Sequence, residues 1–410
     1  MIFLWTSVVC FRLLLEVAYY SYVAEFFGYQ GYSAVLSPVN YLLSWILFIG
    51  NISLLRKELK SVKDFFYIYF ICFLLIPMYV LFGYDDTRSV VPVIYANLTL
   101  ITVNSLLRIR LLRVKQIVFS NRVSQVYIGI VLLVTLMTAV WYQVSGSTLN
   151  FNIADVYAYR QNNSDMANVG ILAYTNSWVY SVFNIILFAF CLHKKKLFWA
   201  TFFFGLQIFF FGATGHKGLV LYTLMPLGFY LLRPYIVNSV TVPLSLSLLV
   251  LVAWSVEVYD DGWSIGLIVR RAFILPADLV FDYFVFFERY PKVYWSNSFG
   301  NIFLDYPYGE TVGRVIGDFR GEPNMNANSG FLSMGYAHAG GYGVLLYSIV
   351  LAICLRITNW VVKDRVPIWI VGSVVSIPII NVITSTDLTV VLVTHGLVLL
   401  VLSMFILRFR

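Results

Sequence analysis

The sequence predicts an all-α polytopic integral membrane protein, and three observations carry that prediction. Of its 410 residues, 60% are hydrophobic and 12% charged, with a mean hydropathy of +0.81. Runs of about twenty apolar residues recur along the whole length, enough for a helix to cross a hydrocarbon core about 30 Å thick. Lysines and arginines gather in alternate loops, the pattern of basic loops that stay inside. The alternating ten-residue segments of a membrane barrel are absent.

Taken in order, twelve spans are expected, at 2–23, 34–55, 64–83, 89–107, 123–142, 169–192, 197–214, 217–232, 236–255, 331–355, 366–384 and 388–407. The start, Met1-Ile-Phe-Leu-Trp5, has no basic n-region or small-residue cleavage site, so it reads as an uncleaved first span. With the N-terminus inside, inside loops hold 18 of the 28 basic residues and three acids, Glu58, Asp64 and Asp364. Outside segments hold 9 basic and 16 acidic residues. That parity places both termini in the cytoplasm. It divides the chain into spans 1–9 (residues 1–255), a large outside loop (256–330) and spans 10–12 (331–410). The net charge of +8 therefore reflects orientation and does not point to nucleic acid. Cys10, Cys72, Cys191 and Cys354 all fall within spans, and neither a disulfide framework nor metal-ligand spacing is present. A metal-independent mechanism without a cofactor is expected.

Few polar residues interrupt the spans. Arg12 and Glu16 share a helix face at i and i+4, either as a neutralised pair facing the bundle interior or as the polar wall of a substrate groove. Asn51, Asn97, Asn104 and Asn184 read as interhelical hydrogen-bonding groups, and His395 as structural. The outside loop 143–168 interleaves aromatics with Asn, Gln and Arg, a composition that suits sugars and equally an ordinary solvated loop. Spans 7 and 8 are joined by Gly212-Ala-Thr-Gly215-His216-Lys217-Gly218, a tight hairpin that brings His216 and Lys217 to the outer surface. There Lys217 either snorkels to headgroups or meets an anionic ligand.

The large loop concentrates the charge. Residues 263–290 read as two short amphipathic helices lying on or dipping into the outer leaflet, hinged at Pro276. Asp278 and Asp282 share a face, and Arg270 and Arg271 lie upstream. Paired arginines at a membrane surface suit a lipid pyrophosphate, because guanidinium forks bind phosphate oxygens bidentately; an interfacial salt-bridge network is the other reading. Farther on come Glu288 and Arg289, then Glu310 with Arg314, and Asp318, Arg320 and Glu322 in a Gly-, Pro- and Asn-rich stretch. Asn326, Asn328 and Ser329 are placed to cap span 10. Two turns into it, His338 sits among Gly335, Gly340, Gly341 and Gly343, where a close approach or a broken helix is expected. At that depth His338 is either functional or a buried structural residue.

Many spans rich in Phe and Tyr, the Gly-His216-Lys217-Gly hairpin and a largest loop outside after span 9 resemble the O-antigen polymerases (Wzy, the oligosaccharide repeat unit polymerases). So do the Asn-Ser-Gly330 approach to span 10 and the Gly-Gly-Tyr-Gly343 run. That family carries an arginine followed by ten residues and a glycine in its outer loops; Arg289 and Gly300 fit, whereas Arg160 reaches Gly170 after nine. The resemblance covers nearly the whole chain. It implies a metal-independent glycosyltransferase of the bacterial inner membrane with a GT-C-like fold. Its partners would be an undecaprenyl-pyrophosphate-linked oligosaccharide donor and acceptor, membrane lipids and a chain-length regulator protein. Related ligases place basic residues in a short hairpin and near the large loop, with a histidine close by. By motif position these fall on Lys217 with His216, on Arg270 or Arg271, and on His338. The ligase usually has Arg at the Lys217 position, so the charge is kept and the fork lost.

The chemistry then assigns roles. A general base would take the acceptor hydroxyl's proton, and Asp278, Asp282, Glu288 and His338 are available. The departing pyrophosphate needs positive charge, which Arg270, Arg271, Arg289 and Lys217 supply. Arg314, Arg320 and Asn328 complete the substrate-binding set. The rival of a different class is a flippase for the same lipid-linked sugar. It would carry its polar residues near the midplane, with repeat symmetry, and the sequence has neither. A membrane acyltransferase would need a donor site among the inside loops, which are short and basic.

Overall fold

The computed structural model describes residues 1–109, 117–152, 172–216, 218–260 and 262–409. Every expected span falls on an apolar helix. These are α1 (Ile2–Gln30), α2 (Pro38–Ile52), α3 (Val62–Gly83), α4 (Val91–Arg108), α5 (Asn121–Val144), α6 (Thr175–His193), α7 (Leu197–Thr214), α8 (Gly218–Leu231) and α9 (Thr241–Asp260). The charged stretch forms α10 (263–289) and α11 (Val312–Phe319). The chain closes with α12 (Phe331–Val362), α13 (Ile368–Thr384) and α14 (Leu388–Ile406). Eight of the helices described are long and apolar enough to cross a membrane; α2, α9 and α13 are shorter apolar helices, and α8 has 14 residues. The chain is a multi-pass helical membrane protein.

The bundle is built around α3. A helix apolar on every side can face lipid or be enclosed by protein, and α3, with Phe65, Phe66, Phe70 and Phe82 all buried, is enclosed. Helices α1 and α2 pack against its second half, α12 and α13 against its first. Helix α13 also joins α3 to a second group formed by α6, α7 and α8. The buried charges of α1 are partnered. Arg12 pairs with Glu16 at 2.8 Å, donates to the Ser44 carbonyl and hydroxyl at 3.1 and 2.7 Å, and stacks over Trp45 at 3.8 Å. The Tyr41 hydroxyl completes Glu16 at 3.0 Å. Asn51, Tyr79 and Asn97 form a closed triangle of hydrogen bonds between α2, α3 and α4.

The structure corrects the expected hinge at Pro276. Residues 263–289 form one unbroken helix, and α10 is packed into the bundle against α1, α3, α4, α9 and α12 rather than laid on its surface. Phe273 meets Phe11 edge-on at 5.5 Å and stacks on Phe73 at 5.1 Å. A helix-interior proline lacks an N–H and crowds the carbonyl four residues back. Here Pro276 directly follows a π-helical stretch, Gly266–Ile274, whose wider turn relieves that clash. Pro77 in α3 uses the same device after Ile71–Leu75.

Candidate functional site

Helix α10 delivers its acids to the end of the bundle formed by the 28–37, 84–90 and 290–330 connections, the loop end. Asp278 lies between two arginines from distant parts of the chain. Its Oδ1 accepts from Arg88 at 2.7 Å and its Oδ2 from Arg320 at 2.7 Å, and Arg320 also holds Asp282. Arg88 reaches back to Asp85 at 3.1 Å and lies over the Phe281 ring at 4.9 Å. Asp85 in turn fixes its own turn, accepting from the Thr87 amide at 3.0 Å and hydroxyl at 2.6 Å. The side chains of Asp278 and Arg320 are only 4% and 7% exposed.

Three carboxylates thus share two guanidinium groups. Enclosure and the neighbouring Asp278 charge push the Asp282 carboxyl up to about 6, against the opposing pull of Arg320. The same carboxylates hold Arg88 and Arg320 protonated, outweighing the burial that opposes their charge.

Beside this network stands a wall of buried polar atoms: Arg270 Nε and Arg320 Nε, without partners among the described residues, and the Tyr32 hydroxyl, which is engaged by the Arg270 side chain. The Arg270 guanidinium lies against Tyr32, donates to Gln30 Oε1 at 3.0 Å and stacks over Phe27 at 4.4 Å. Burial drives the Tyr32 hydroxyl above its ordinary pKa, so it remains a neutral donor at physiological pH. Buried donors without acceptors are costly, and two guanidinium N–H groups with a hydroxyl make a surface for anionic oxygens. Asp278 and Asp282 are engaged by arginines, and among the described residues no three such groups are placed to hold a metal ion.

A second cluster fastens the large loop to α12. That helix breaks at Ala339 and Gly340, the latter at φ 59°, ψ −140°, a region open to glycine. The break frees the carbonyls of Ala337 and His338, and the amides of Val293 and Tyr294 donate to them at 2.9 and 3.0 Å. The Trp295 amide donates to His338 Nδ1 at 3.1 Å, and its ring stacks on the imidazole at 4.8 Å. With Nδ1 accepting, Nε2 carries the proton and donates to Asp387 Oδ2 at 3.0 Å. Tyr347 donates to Asp387 Oδ1 at 2.8 Å and receives the Trp295 indole at 2.9 Å. Burial would raise the Asp387 pKa, but hydrogen bonds from His338, Thr389 and Tyr347 lower it, and the carboxylate caps α14. His338 is completely buried with both ring nitrogens engaged.

Helix α11 links the network to an open cleft of about 720 Å³ lined by Asn297, Tyr306, Glu310, Thr311, Arg314 and Asn326, among others. Arg320 follows its last residue and Arg314 lies in its first turn, roughly 9 Å apart at 1.5 Å per residue. Arg314 also donates to the Pro323 carbonyl at 3.1 Å. A Cβ on Gly313 would stand 2.1 Å from Asn326 Oδ1 and 2.9 Å from Asn328 Oδ1, so a side chain there would displace both amides.

Of the residues singled out in the sequence, the structure joins Asp278 and Arg320 directly and sets Arg270 beside them. Arg314 lies in the cleft, with Asn328 exposed near it. Glu288 and Arg289 are exposed at the end of α10, and Arg271 is exposed along it. The His216 ring lies 6.2 Å from Tyr180, and Lys217 falls outside the described residues. Arg88, Asp85, Tyr32, Trp295 and Asp387 were not anticipated. Arg88 could have been noticed as a rare cation on the acidic side, and Asp387 as a capping residue before an apolar run. No protein-family model, curated protein or solved structure matches the chain.

Proposed function

We propose that this protein polymerises lipid-linked oligosaccharide repeat units at the outer face of a bacterial inner membrane, with lipid pyrophosphate as leaving group. The observation that supports this most is the wall of Arg270, Arg320 and Tyr32, whose two guanidinium Nε groups are unpartnered buried donors among the described residues, beside carboxylates at the loop end of the bundle. In this reading the chain crosses the membrane twelve times in a GT-C-like arrangement, with both termini in the cytoplasm, as the alternation of basic loops favours.

The wall takes the pyrophosphate and the lipid chain stays between helices. The acceptor hydroxyl gives its proton to a carboxylate, its oxygen bonds to the anomeric carbon, and the carbon–oxygen bond to the pyrophosphate breaks. The electron pair leaves on that oxygen, where guanidinium groups stabilise it. Asp282 suits the base better than Asp278. Its Oδ1 makes no ion pair among the described residues and its carboxyl is raised to about 6, whereas both Asp278 oxygens are taken. A base poised near the working pH is the effective one. His338, with both nitrogens engaged, serves in this reading to position the loop.

Deleting the gene and resolving surface polysaccharide on a gel tests the proposal. A product limited to single repeat units supports a polymerase; loss of every unit supports a flippase of the same substrate. In the intact chain, Arg270→Ala should lower polymer formation about 10²–10³-fold, as removal of a preorganised charge-stabilising donor does, with the protein still folded. A normal ladder from this variant would sink the pyrophosphate assignment.

A further inference from the structure

At the opposite end of the bundle from the residues of the proposed reaction lies a second cavity. Its volume is about 570 Å³, and its walls come from the connection before α3 and the start of α9. The two stretches are fastened to each other: the Leu59 amide donates to the Val237 carbonyl at 2.7 Å and the Ser239 amide to the Lys57 carbonyl at 2.9 Å. Glu58 and Asn238 form the antiparallel bridge between them. The backbone that carries Lys57 to the rim is therefore held in place.

The lining combines hydroxyl and apolar side chains along one helix face. Thr241, Leu244, Ser245 and Leu248 recur at three- and four-residue steps, so they line one side of α9. Thr241, with Asn238 before it, stands at the start of the helix, Leu244 and Ser245 follow side by side, and Leu248 lies one turn farther along. Leu244 and Leu248 are 53% and 62% exposed, the exposure of side chains that meet lipid rather than protein. The rim is cationic. Lys60 takes the Glu58 carboxylate at 2.7 Å, Arg56 lies 3.9 Å from Asp64, and Arg233 is folded over the Tyr230 ring at 4.2 Å. Among the described residues Lys57 makes no ion pair within 4 Å; it lines the cavity beside Glu58, whose carboxylate feels the charges of both Lys60 and Lys57.

A cation at the rim, amide and hydroxyl groups beneath it and an apolar slope leading into the membrane match one ligand class. We infer that this cavity binds an anionic phospholipid, its phosphate at Lys57, its headgroup against Asn238, Thr241 and Ser245, and an acyl chain along Leu244 and Leu248. Basic pockets between helix ends on the cytoplasmic side are recurrent sites of this kind, and this end carries the chain's excess of lysine and arginine. The site is independent of glycosyl transfer. It ties α9 to α3 and steadies the bundle from the side opposite the proposed reaction.

Native mass spectrometry of the purified full chain tests this, with phosphatidylglycerol or phosphatidylcholine added in turn. Phosphatidylglycerol should remain bound after phosphatidylcholine has dissociated and should raise the melting temperature. Lys57→Ala should weaken its retention about fivefold, the effect of removing one cation near a charged headgroup. Leu248→Trp, which fills the slope, should abolish it, while Leu133→Trp on the exposed face of α5 should not. Equal retention of the two lipids, or retention by both Lys57→Ala and Leu248→Trp, would overturn the inference. Either result leaves the polysaccharide gel unchanged, so this site and the proposed reaction stand or fall separately.

Discussion

The two ends of this bundle use the same residue types in opposite ways. At the basic end, several cations serve backbone carbonyls, and the ion pairs there, Lys60 with Glu58 and Arg56 with Asp64, have exposed cations. Lys194 donates to the Phe409 carbonyl at 3.1 Å, Arg356 to Ile109 at 2.9 Å and Arg365 to Phe405 at 2.7 Å. Such contacts satisfy groups near helix C-termini, and each stands largely alone. At the loop end Arg88 and Arg320 are enclosed with Asp85, Asp278 and Asp282, and each charge depends on the next. Isolated cations fix a helix end and report orientation. A coupled, buried set keeps polar groups in place where water is scarce, which is the requirement of a reaction site.

This contrast orders the expected effects of substitution. Asp278→Asn removes the carboxylate shared by two buried guanidinium groups and should cost about 3–5 kcal/mol, the range for breaking a buried pair from one side. Thermal unfolding in detergent would show it, and an unchanged melting temperature would mean that the network is not coupled. Gly340→Ala forces a side chain into the broken turn of α12 and should cost about 1–3 kcal/mol. Limited proteolysis of 290–330 should then accelerate, since the loop amides lose their carbonyl partners.

Acidity gives the third test. Because the Asp282 carboxyl is raised to about 6 in the folded chain, the folded state holds more protons than the unfolded one between that value and the ordinary aspartate range. Stability should therefore rise as pH falls through 6 and level off near pH 4, with a slope of at most about 1.4 kcal/mol per pH unit. Asp282→Asn should flatten that slope. If Asp282 is the base, polymer formation in the wild type falls over the same interval even as stability grows, and a parallel rise of both would exclude that role. The smallest effect belongs to the basic end: Arg365→Ala should change stability by less than about 1 kcal/mol and leave polysaccharide unaltered. A large loss there would erase the contrast between the two ends.

The helices were legible because apolar periodicity and loop charge are local signals, and each expected span coincides with a helix. The charged stretch was legible as a place but not as an arrangement. Asp278 and Arg320 stood out as charges in an apolar chain, yet Arg88 lies 190 positions before Asp278, and no local pattern links them. His338 was visible, whereas its partners Trp295 and Asp387 come from two other connections. Pro276 misled because helix continuation through a proline depends on the π-helical stretch before it, which composition does not encode. The division of Asp278 and Asp282 into a saturated and a half-free carboxylate required coordinates.

The break in α12 has a consequence for how such a protein could be altered or inherited. The amides of Val293, Tyr294 and Trp295 find their acceptors on Ala337 and His338, which belong to a different segment. The large loop is therefore not a detachable module. Residues 290–330 moved into another chain would arrive with three donors and no matching receptors. They would have to carry His338, Gly340 and Asp387 with them, so the loop and this membrane helix should be exchanged, and should drift, as one unit.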